Sequence, residues 1–279
     1  MTTGPTANIG ALLDEDPGSD YVIPTDYADL NPLLNGGLRP GDFVVAAGLP
    51  GVGTSMFALG LARACGVRHK RGTYIASLEA NALRTAQRIL SAEAKVELDR
   101  VTAGSMNELD GERVATNAPD LPAAPIHVED EHRDLAAIQQ DAFAFADTVG
   151  SLRLIFVDGA HLLVPAHDYG GRAQFADDFA RDLKELAVVH GLTVVATVPL
   201  EFPFAEMRRR PLMRDFGKRQ SFAAAADAVV LLHREDDDPV DPLTYEVEAI
   251  VAKNRGGKRG LVRLAFQGHY ARLFNMRQD

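Results

Sequence analysis

Apolar residues follow two alternating spacings along this chain, and the alternation predicts an α/β fold. Short apolar runs typical of buried strands occur at 42–48, 72–78, 153–158, 192–198 and 228–233. Between them, segments such as SMFALGLARACGV, ALRTAQRILSAEAKV and QFADDFARDLKELAVVH carry apolar residues at helical spacing. Strands that alternate with helices favour a mostly parallel central sheet with helices on both faces.

The two ends of the chain depart from this alternation. Near the C-terminus, YEVEAIVAK, GLVRLAF and YARLF alternate apolar and polar residues, which predicts an antiparallel extension of the sheet. Residues 1–20 mix Gly, Pro, Thr and acidic residues without any period, which predicts a disordered tail. No internal repeat or linker interrupts 21–279, so we expect one domain there.

The amino-acid composition indicates a folded globular protein. The chain has 279 residues, of which 46% are hydrophobic, enough to fill the core of a large domain. No apolar run approaches the ~20 residues that a membrane span requires, and the N-terminus lacks the pattern of a signal peptide. We therefore expect a cytoplasmic protein without a membrane segment. The one cysteine, Cys65, falls on an apolar helical face and is interpreted as a small core residue.

The formal net charge of −10 argues against a protein coated in nucleic acid, but it averages over clusters of opposite sign. Acidic residues collect in LLDEDPGSD, VEDEHRD and HREDDDPVD, which are typical of solvated loops. Basic residues collect in EMRRRPLMRDFGKRQ and AKNRGGKRGLVR, both in the C-terminal third.

A glycine-rich loop, GLPGVGTS at 48–55, follows the first strand and precedes the first helix. It fits the phosphate-binding pattern G-x-x-x-x-G-K-[ST] except that Thr54 stands where the pattern has lysine. Gly48, Gly51 and Gly53 would let the backbone N–H groups approach an anion at the helix N-terminus. The alternative is an ordinary turn between a strand and a helix.

Two carboxylates stand at strand ends. Asp158 ends the apolar strand LRLIFVD, a place where acids of parallel sheets face the ligand crevice. Glu79 directly follows GTYIASL, where a carboxylate can orient an attacking water. The alternative for Asp158 is a cap on the following helix.

Together these positions carry a resemblance that extends along 20–275. The chain resembles the C-terminal motor domain of the DnaB-type replicative helicases, a RecA-like fold that forms hexameric rings around single-stranded DNA. The matching segments include IPTDYADLNPLLNGGLRPGDFVVAAG, YIASLEA, SAEAKVELDRVTAG, LIFVDGAHLL, DLKELAVVHGLTVVATV, RRPLMRDF, ADAVVLLHRED and VAKNRGGKRGLVRLAF. The helical collar domain of those helicases is not represented, and we expect a ring without that layer.

The resemblance implies roles for residues at matching positions, with ATP and Mg²⁺ as cofactors. Ser55 matches the loop hydroxyl that binds Mg²⁺, Asp158 the acid of the metal shell, and Glu79 the general base. Lys253 and Arg255 match the pair that reaches a neighbouring subunit's γ-phosphate, which makes a homo-oligomer part of the implied mechanism.

Three departures from the family pattern weaken the implied activity. Thr54 replaces the loop lysine, Pro199 replaces the glutamine that senses the γ-phosphate, and GKRQSFAAAAD (217–227) replaces a more polar DNA-contacting loop. Loss of a preorganised charge costs on the order of 10²–10³ in rate. We therefore expect weakened nucleotide binding and little or no turnover.

A basic segment, defined here as residues 208–219, would face the channel of such a ring. Its cations could follow the phosphates of single-stranded DNA, or instead pair with acidic runs of a neighbouring subunit. The six candidate DNA-binding residues are Arg208, Arg209, Arg210, Arg214, Lys218 and Arg219.

Three hypotheses follow. The first is a binding or regulatory module with an impaired nucleotide site, acting on DNA or on a genuine replicative helicase. The second is an active ATP-dependent DNA helicase or translocase with an unconventional loop. The third is a structural oligomer that binds a protein partner through its charged runs.

Overall fold

A single mixed sheet forms the centre of the molecule. The computed structural model describes residues 22–165, 172–202, 208–235 and 244–276, so the predicted tail at 1–20 lies outside the described residues. Within them, the sheet has the strand order β3-β2-β4-β5-β1-β6-β7-β8-β9. The strands are β1 (Phe43–Gly48), β2 (Gly72–Ser77), β3 (Ile126–Glu129), β4 (Leu152–Asp158), β5 (Thr193–Pro199), β6 (Ala228–His233), β7 (Tyr245–Asn254), β8 (Gly260–Gln267) and β9 (Arg272–Asn275).

The sheet changes direction after β6. All pairings among β1 to β6 are parallel, whereas β7, β8 and β9 join antiparallel to β6 and to one another. The predicted parallel sheet with an antiparallel C-terminal extension is therefore confirmed.

Helices cover both faces of the sheet, as predicted. They are α1 (Thr54–Arg63), α2 (Ala82–Ala94), α3 (Leu98–Ala103), α4 (Glu108–Asn117), α5 (Leu135–Val149), α6 (Arg172–His190) and α7 (Gln220–Ala225). None of the helices in the described ranges is both long and apolar enough to cross a membrane.

Strand β1 shows how the apolar runs produce this layering. Its side chains alternate between two cores, so that Val44 and Ala46 pack on the α1 side while Phe43, Val45 and Ala47 pack on the side of α5, α6 and α7. A strand buried on both faces needs an uninterrupted apolar sequence. Cys65, in a π-helical turn that continues α1, is buried in the first core as predicted.

Candidate nucleotide site

The site is built where parallel strands end side by side. Gly48, the last residue of β1, pairs in register with Pro199 of β5, and Ser77 of β2 pairs with Asp158 of β4. Residues that follow these strands therefore meet at one edge of the sheet. Open α/β sheets bind their ligands at this carboxyl edge.

The glycine loop closes over the end of β1 in a conformation that needs glycine. Gly51 and Gly53 have φ of 84° and 100°, values that other residues rarely adopt. A Cβ on Gly48 would lie 2.5 Å from Val52 Cγ1, so this position has no room for a side chain. The Phe57 amide then donates to the Gly53 carbonyl at 2.9 Å as α1 begins.

The start of α1 leaves donors for an anion. Gly53 precedes the helix, and no side chain caps the first amides. These N–H groups and the helix dipole favour a phosphate or carboxylate at this point. The predicted loop residues therefore lie together, and Thr54, the first residue of α1, is half-buried among them. Its hydroxyl lies next to Gly48, 2.9 Å from where a Cβ on that glycine would stand.

Asp158 lies beside this loop in a buried, hydrogen-bonded position. Its Oδ1 accepts a 2.8 Å bond from the Thr197 hydroxyl, which itself accepts the Gly159 amide at 2.7 Å. Burial raises the pKa of Asp158, while hydrogen bonds from the Thr197 and Ser55 hydroxyls oppose that rise. Carboxylate and hydroxyl oxygens are ligands that Mg²⁺ prefers, so Ser55 and Asp158 fit the implied metal.

Glu79 lies close to Asp158. A Cβ on Gly159 would be 2.6 Å from Glu79 Cγ, so the glycine after Asp158 makes room for the Glu79 side chain. Burial raises the pKa of Glu79, and the neighbouring Asp158 charge raises it further. The structure thus brings together the predicted base and the predicted metal acid.

Arg88 supplies positive charge to this pair, and the sequence analysis did not identify it. It lies on α2, and its charge opposes the rise in pKa of both Glu79 and Asp158. Thr85, one turn earlier on α2, contacts the Ser77 hydroxyl at 2.8 Å, which holds this helix face against the end of β2. Arg88 lies nine residues after Glu79, and no hydrophobic period or motif in the sequence indicates that the two side chains are neighbours.

Pro199 stands directly across from the glycine loop. It pairs with Gly48, and the next amide, that of Leu200, donates to the Gly48 carbonyl at 2.9 Å. A proline has neither a side-chain donor nor an N–H group to offer a phosphate. The strand end that faces the loop is therefore unable to bind an anion through this residue.

Lys253 and Arg255 lie toward the opposite edge of the sheet. Lys253 pairs with Val229 of β6, and Val229 pairs with Val45 of β1, three residues before Gly48. That separation is about 10 Å along the strands. Within one chain these two cations and the glycine loop are not brought together.

Both cations contact their own chain instead. Lys253 Nζ donates to the carbonyls of Ala223 and Ala224 at 2.9 and 2.7 Å, at the C-terminal end of α7. Arg255 Nη2 donates to the Ala224 carbonyl at 3.1 Å, and its Nη1 lies 3.4 Å from Asp227 Oδ1. Burial lowers the pKa of Lys253, and the charge of Arg255 lowers it further.

The six cations of the basic segment fall into two groups. Arg209 forms two 2.7 Å hydrogen bonds with buried Asp215, and Arg210 forms bonds of 2.6 and 2.5 Å with buried Glu248. These arginines hold the pKa of both carboxyls below their ordinary values. A third cation, Arg219, pairs with Glu201, with 2.5 Å between Nη1 and Oε1.

The remaining three cations of the segment are solvent-exposed. In the part of the chain that the structure describes, they form no ion pair. They are therefore the cations best placed to meet an external anion. These three are Arg208, Arg214 and Lys218.

The fold and the strand-end site together define a RecA-like P-loop domain, with a glycine loop after β1, an acid at the end of β4 and a second acid after β2. Residues 22–275 match the DnaB-like helicase C terminal domain family, and the chain belongs to that family.

Relatives and solved structures agree with this assignment. The chain is 34% identical to the replicative DNA helicase DnaB of Leifsonia xyli subsp. xyli over 262 residues, which cover 93% of this chain and 57% of that protein. It is 31% identical to the DnaB of Mycobacterium leprae, covering 84% and 39%. The chain thus spans less than two thirds of these curated relatives.

Two solved structures share the fold at 22% identity. The ATPase domain of G40P superposes with a TM-score of 0.84, covering 96% of this chain and 97% of that one. A DnaB-like replicative helicase, studied for its interactions with primase, gives a TM-score of 0.83, covering 98% and 68%.

Proposed function

We propose that this domain is a binding or regulatory relative of the replicative helicases, one that holds a nucleotide and single-stranded DNA with little or no turnover. The observation that carries the proposal is the juxtaposition of Thr54 and Pro199 around Gly48. Neither side chain supplies a charge or an amide group to the terminal phosphate. The groups for a metal-bound phosphate, Ser55 and Asp158, stand beside them.

The expected loss of catalytic rate is larger than the expected loss of nucleotide affinity. Removing one preorganised group from a transition state costs on the order of 10²–10³ in rate. Backbone amides at the start of α1 and the oxygen donors for Mg²⁺ do not depend on Thr54. We therefore propose that ATP and Mg²⁺ are weakly held cofactors and that Glu79 has little opportunity to act as a base.

We further propose a ring-shaped homo-oligomer, with six subunits as the family resemblance implies. Support comes from Lys253 and Arg255, which lie away from their own chain's loop and could serve only a neighbour's nucleotide. The exposed cations of the basic segment would then line the channel. A cytoplasmic location and a replicative helicase or another replication protein as partner complete the proposal.

A steady-state ATPase assay with single-stranded DNA tests the main proposal. We expect turnover at least 10²-fold below that of an active motor. Glu79→Gln should change this residual rate little, and Glu112→Gln, which alters the same charge on exposed α4, serves as the matched control. Motor-like turnover that Glu79→Gln abolishes would show the proposal to be wrong.

Arg88 favours a second candidate, an active ATP-dependent translocase with an unconventional loop. Its charge acts on both Glu79 and Asp158, so a cation does lie near the reacting groups. This candidate requires nucleotide-dependent assembly and loss of turnover in Arg255→Ala. A protein that remains monomeric with ATP, Mg²⁺ and DNA would exclude it.

A further inference from the structure

The segment that follows Pro199 is tied to the basic segment by several contacts. The Glu201 amide donates to the Asp215 carbonyl at 2.9 Å, and the Arg209 guanidinium lies 4.6 Å from the centre of the Phe202 ring. At its other end, Leu200 is hydrogen-bonded to Gly48 of the glycine loop. A continuous chain of contacts therefore runs from the glycine loop to the basic segment.

An ion pair stands at the centre of this connection. Glu201 Oε1 and Arg219 Nη1 are 2.5 Å apart, with the Arg219 side chain 23% exposed and the Glu201 side chain 54% exposed. The turn that brings them together passes through Gly217, whose φ of 54° and ψ of −121° suit glycine. A Cβ on Gly217 would lie 3.5 Å from Glu201 Oε2, so the turn also packs against this carboxylate.

We propose that the Glu201–Arg219 pair is a brace that fixes the basic segment regardless of the nucleotide state and withholds Arg219 from phosphates. Along the connection, Pro199 has no group that responds to a terminal phosphate. The pair therefore keeps the segment attached to the end of β5 with or without ATP. The Glu201 carboxylate pairs with the Arg219 guanidinium, which would otherwise be available to bind a phosphodiester.

The Glu201–Arg219 pair affects competition with phosphate for Arg219 more than it affects the free energy of unfolding. A partly exposed ion pair adds little to folding stability, but a phosphate must displace the Glu201 carboxylate to reach Arg219. Removing the carboxylate should therefore add one phosphate-binding cation. Each added contact with a single strand steepens the dependence of log affinity on log salt by about 0.7.

The test rests on the proposed DNA binding and uses fluorescence anisotropy with oligo(dT) across a range of salt concentrations. Glu201→Gln should bind about two- to fivefold more tightly, with a slope steeper by about 0.7, whereas Glu112→Gln should match the wild type. In Glu201→Gln combined with Arg219→Gln the gain should vanish. A gain that persists without Arg219, or the absence of any gain, would overturn the brace.

A second experiment tests whether the affinity for DNA is independent of the bound nucleotide. We expect oligo(dT) affinity to stay within about twofold without nucleotide, with ADP–Mg²⁺ and with ATP–Mg²⁺. The same should hold in Thr54→Lys, in which we expect ATP to bind more tightly. A larger dependence on ATP in either protein would contradict the proposal.

A readout without DNA separates failure of the brace from failure of the proposed function. If the wild type does not bind oligo(dT), the DNA-binding part of that function is wrong. Amide hydrogen exchange over 199–202 and 213–219 then tests the brace alone. Glu201→Gln should accelerate exchange there and Glu112→Gln should not, and equal exchange in both variants would overturn the brace.

Discussion

Thr54→Lys is the most informative single change at the nucleotide site. Thr54 is half-buried at the first position of α1, with its hydroxyl beside Gly48. A lysine there would place an ammonium among the free amides of the glycine loop. Each charge-assisted hydrogen bond from an ammonium to phosphate contributes roughly 1.5–3 kcal/mol.

One such bond is enough to change the affinity measurably. We expect the dissociation constant for ATP–Mg²⁺ to fall about 10- to 100-fold in Thr54→Lys. Without nucleotide, the new cation at a helix N-terminus should lower the free energy of unfolding by about 0.3–1 kcal/mol. Because Pro199 is unchanged, turnover should remain low.

Calorimetric titration of ATP and ADP, with and without Mg²⁺, measures this change. Thr54→Met, which has a side chain of similar length but no charge, is the control. Near-UV circular dichroism establishes that both variants are folded. If Thr54→Lys is folded and binds ATP no better than Thr54→Met, the inference that the rest of the site can hold a triphosphate is refuted.

Three further changes test the electrostatics of the site and of the basic segment. Asp158→Asn should raise the free energy of unfolding at neutral pH by on the order of 1 kcal/mol, because burial raises the pKa of the carboxyl and the charged form destabilises the fold. The excess stability of Asp158→Asn over the wild type should correspondingly grow as the pH rises from the ordinary 3.8 through the raised pKa, and urea unfolding of both proteins at several pH values checks the sign. Arg209→Ala should cost about 1–3 kcal/mol by removing the guanidinium from its buried carboxylate partner, whereas Arg208→Ala should leave urea unfolding unchanged. Arg88→Gln should weaken ATP binding severalfold and shift the pH dependence of binding upward, while exposed Arg84→Gln on the same helix should do neither.

Local sequence patterns were sufficient to predict most of the sheet. The apolar run 42–48 became β1 at Phe43–Gly48, and the strand expected to end at Asp158 ends there. Such runs are informative because a strand buried on both faces admits few polar residues. The segment between α2 and β3 gave no clear period, and it forms α3, α4 and a short 3₁₀ turn over a small core of their own.

The charge pairs could not be predicted in the same way. Arg210 meets Glu248 across 38 residues, and Arg219 meets Glu201 across 18, so no local spacing indicates which cations are paired. From the sequence the six cations of the basic segment were equivalent. The structure distinguishes them because it shows which buried or strand-end carboxylates each one contacts.

The two halves of the site lead to the same expectation about coupling. At the proposed nucleotide end, Ser55 and Asp158 would provide oxygen ligands for a metal ion, while the side chains of Thr54 and Pro199 have no charge with which to distinguish three phosphates from two. At the other end, contacts through Glu201 keep the basic segment attached to β5 without reference to a phosphate. A motor requires that its affinity for single-stranded DNA change with the bound nucleotide, because a constant affinity gives no net movement along the DNA. The cations of the basic segment are held in place, and the glycine loop does not respond to the terminal phosphate. This combination favours a subunit that stays bound to single-stranded DNA over one that moves along it.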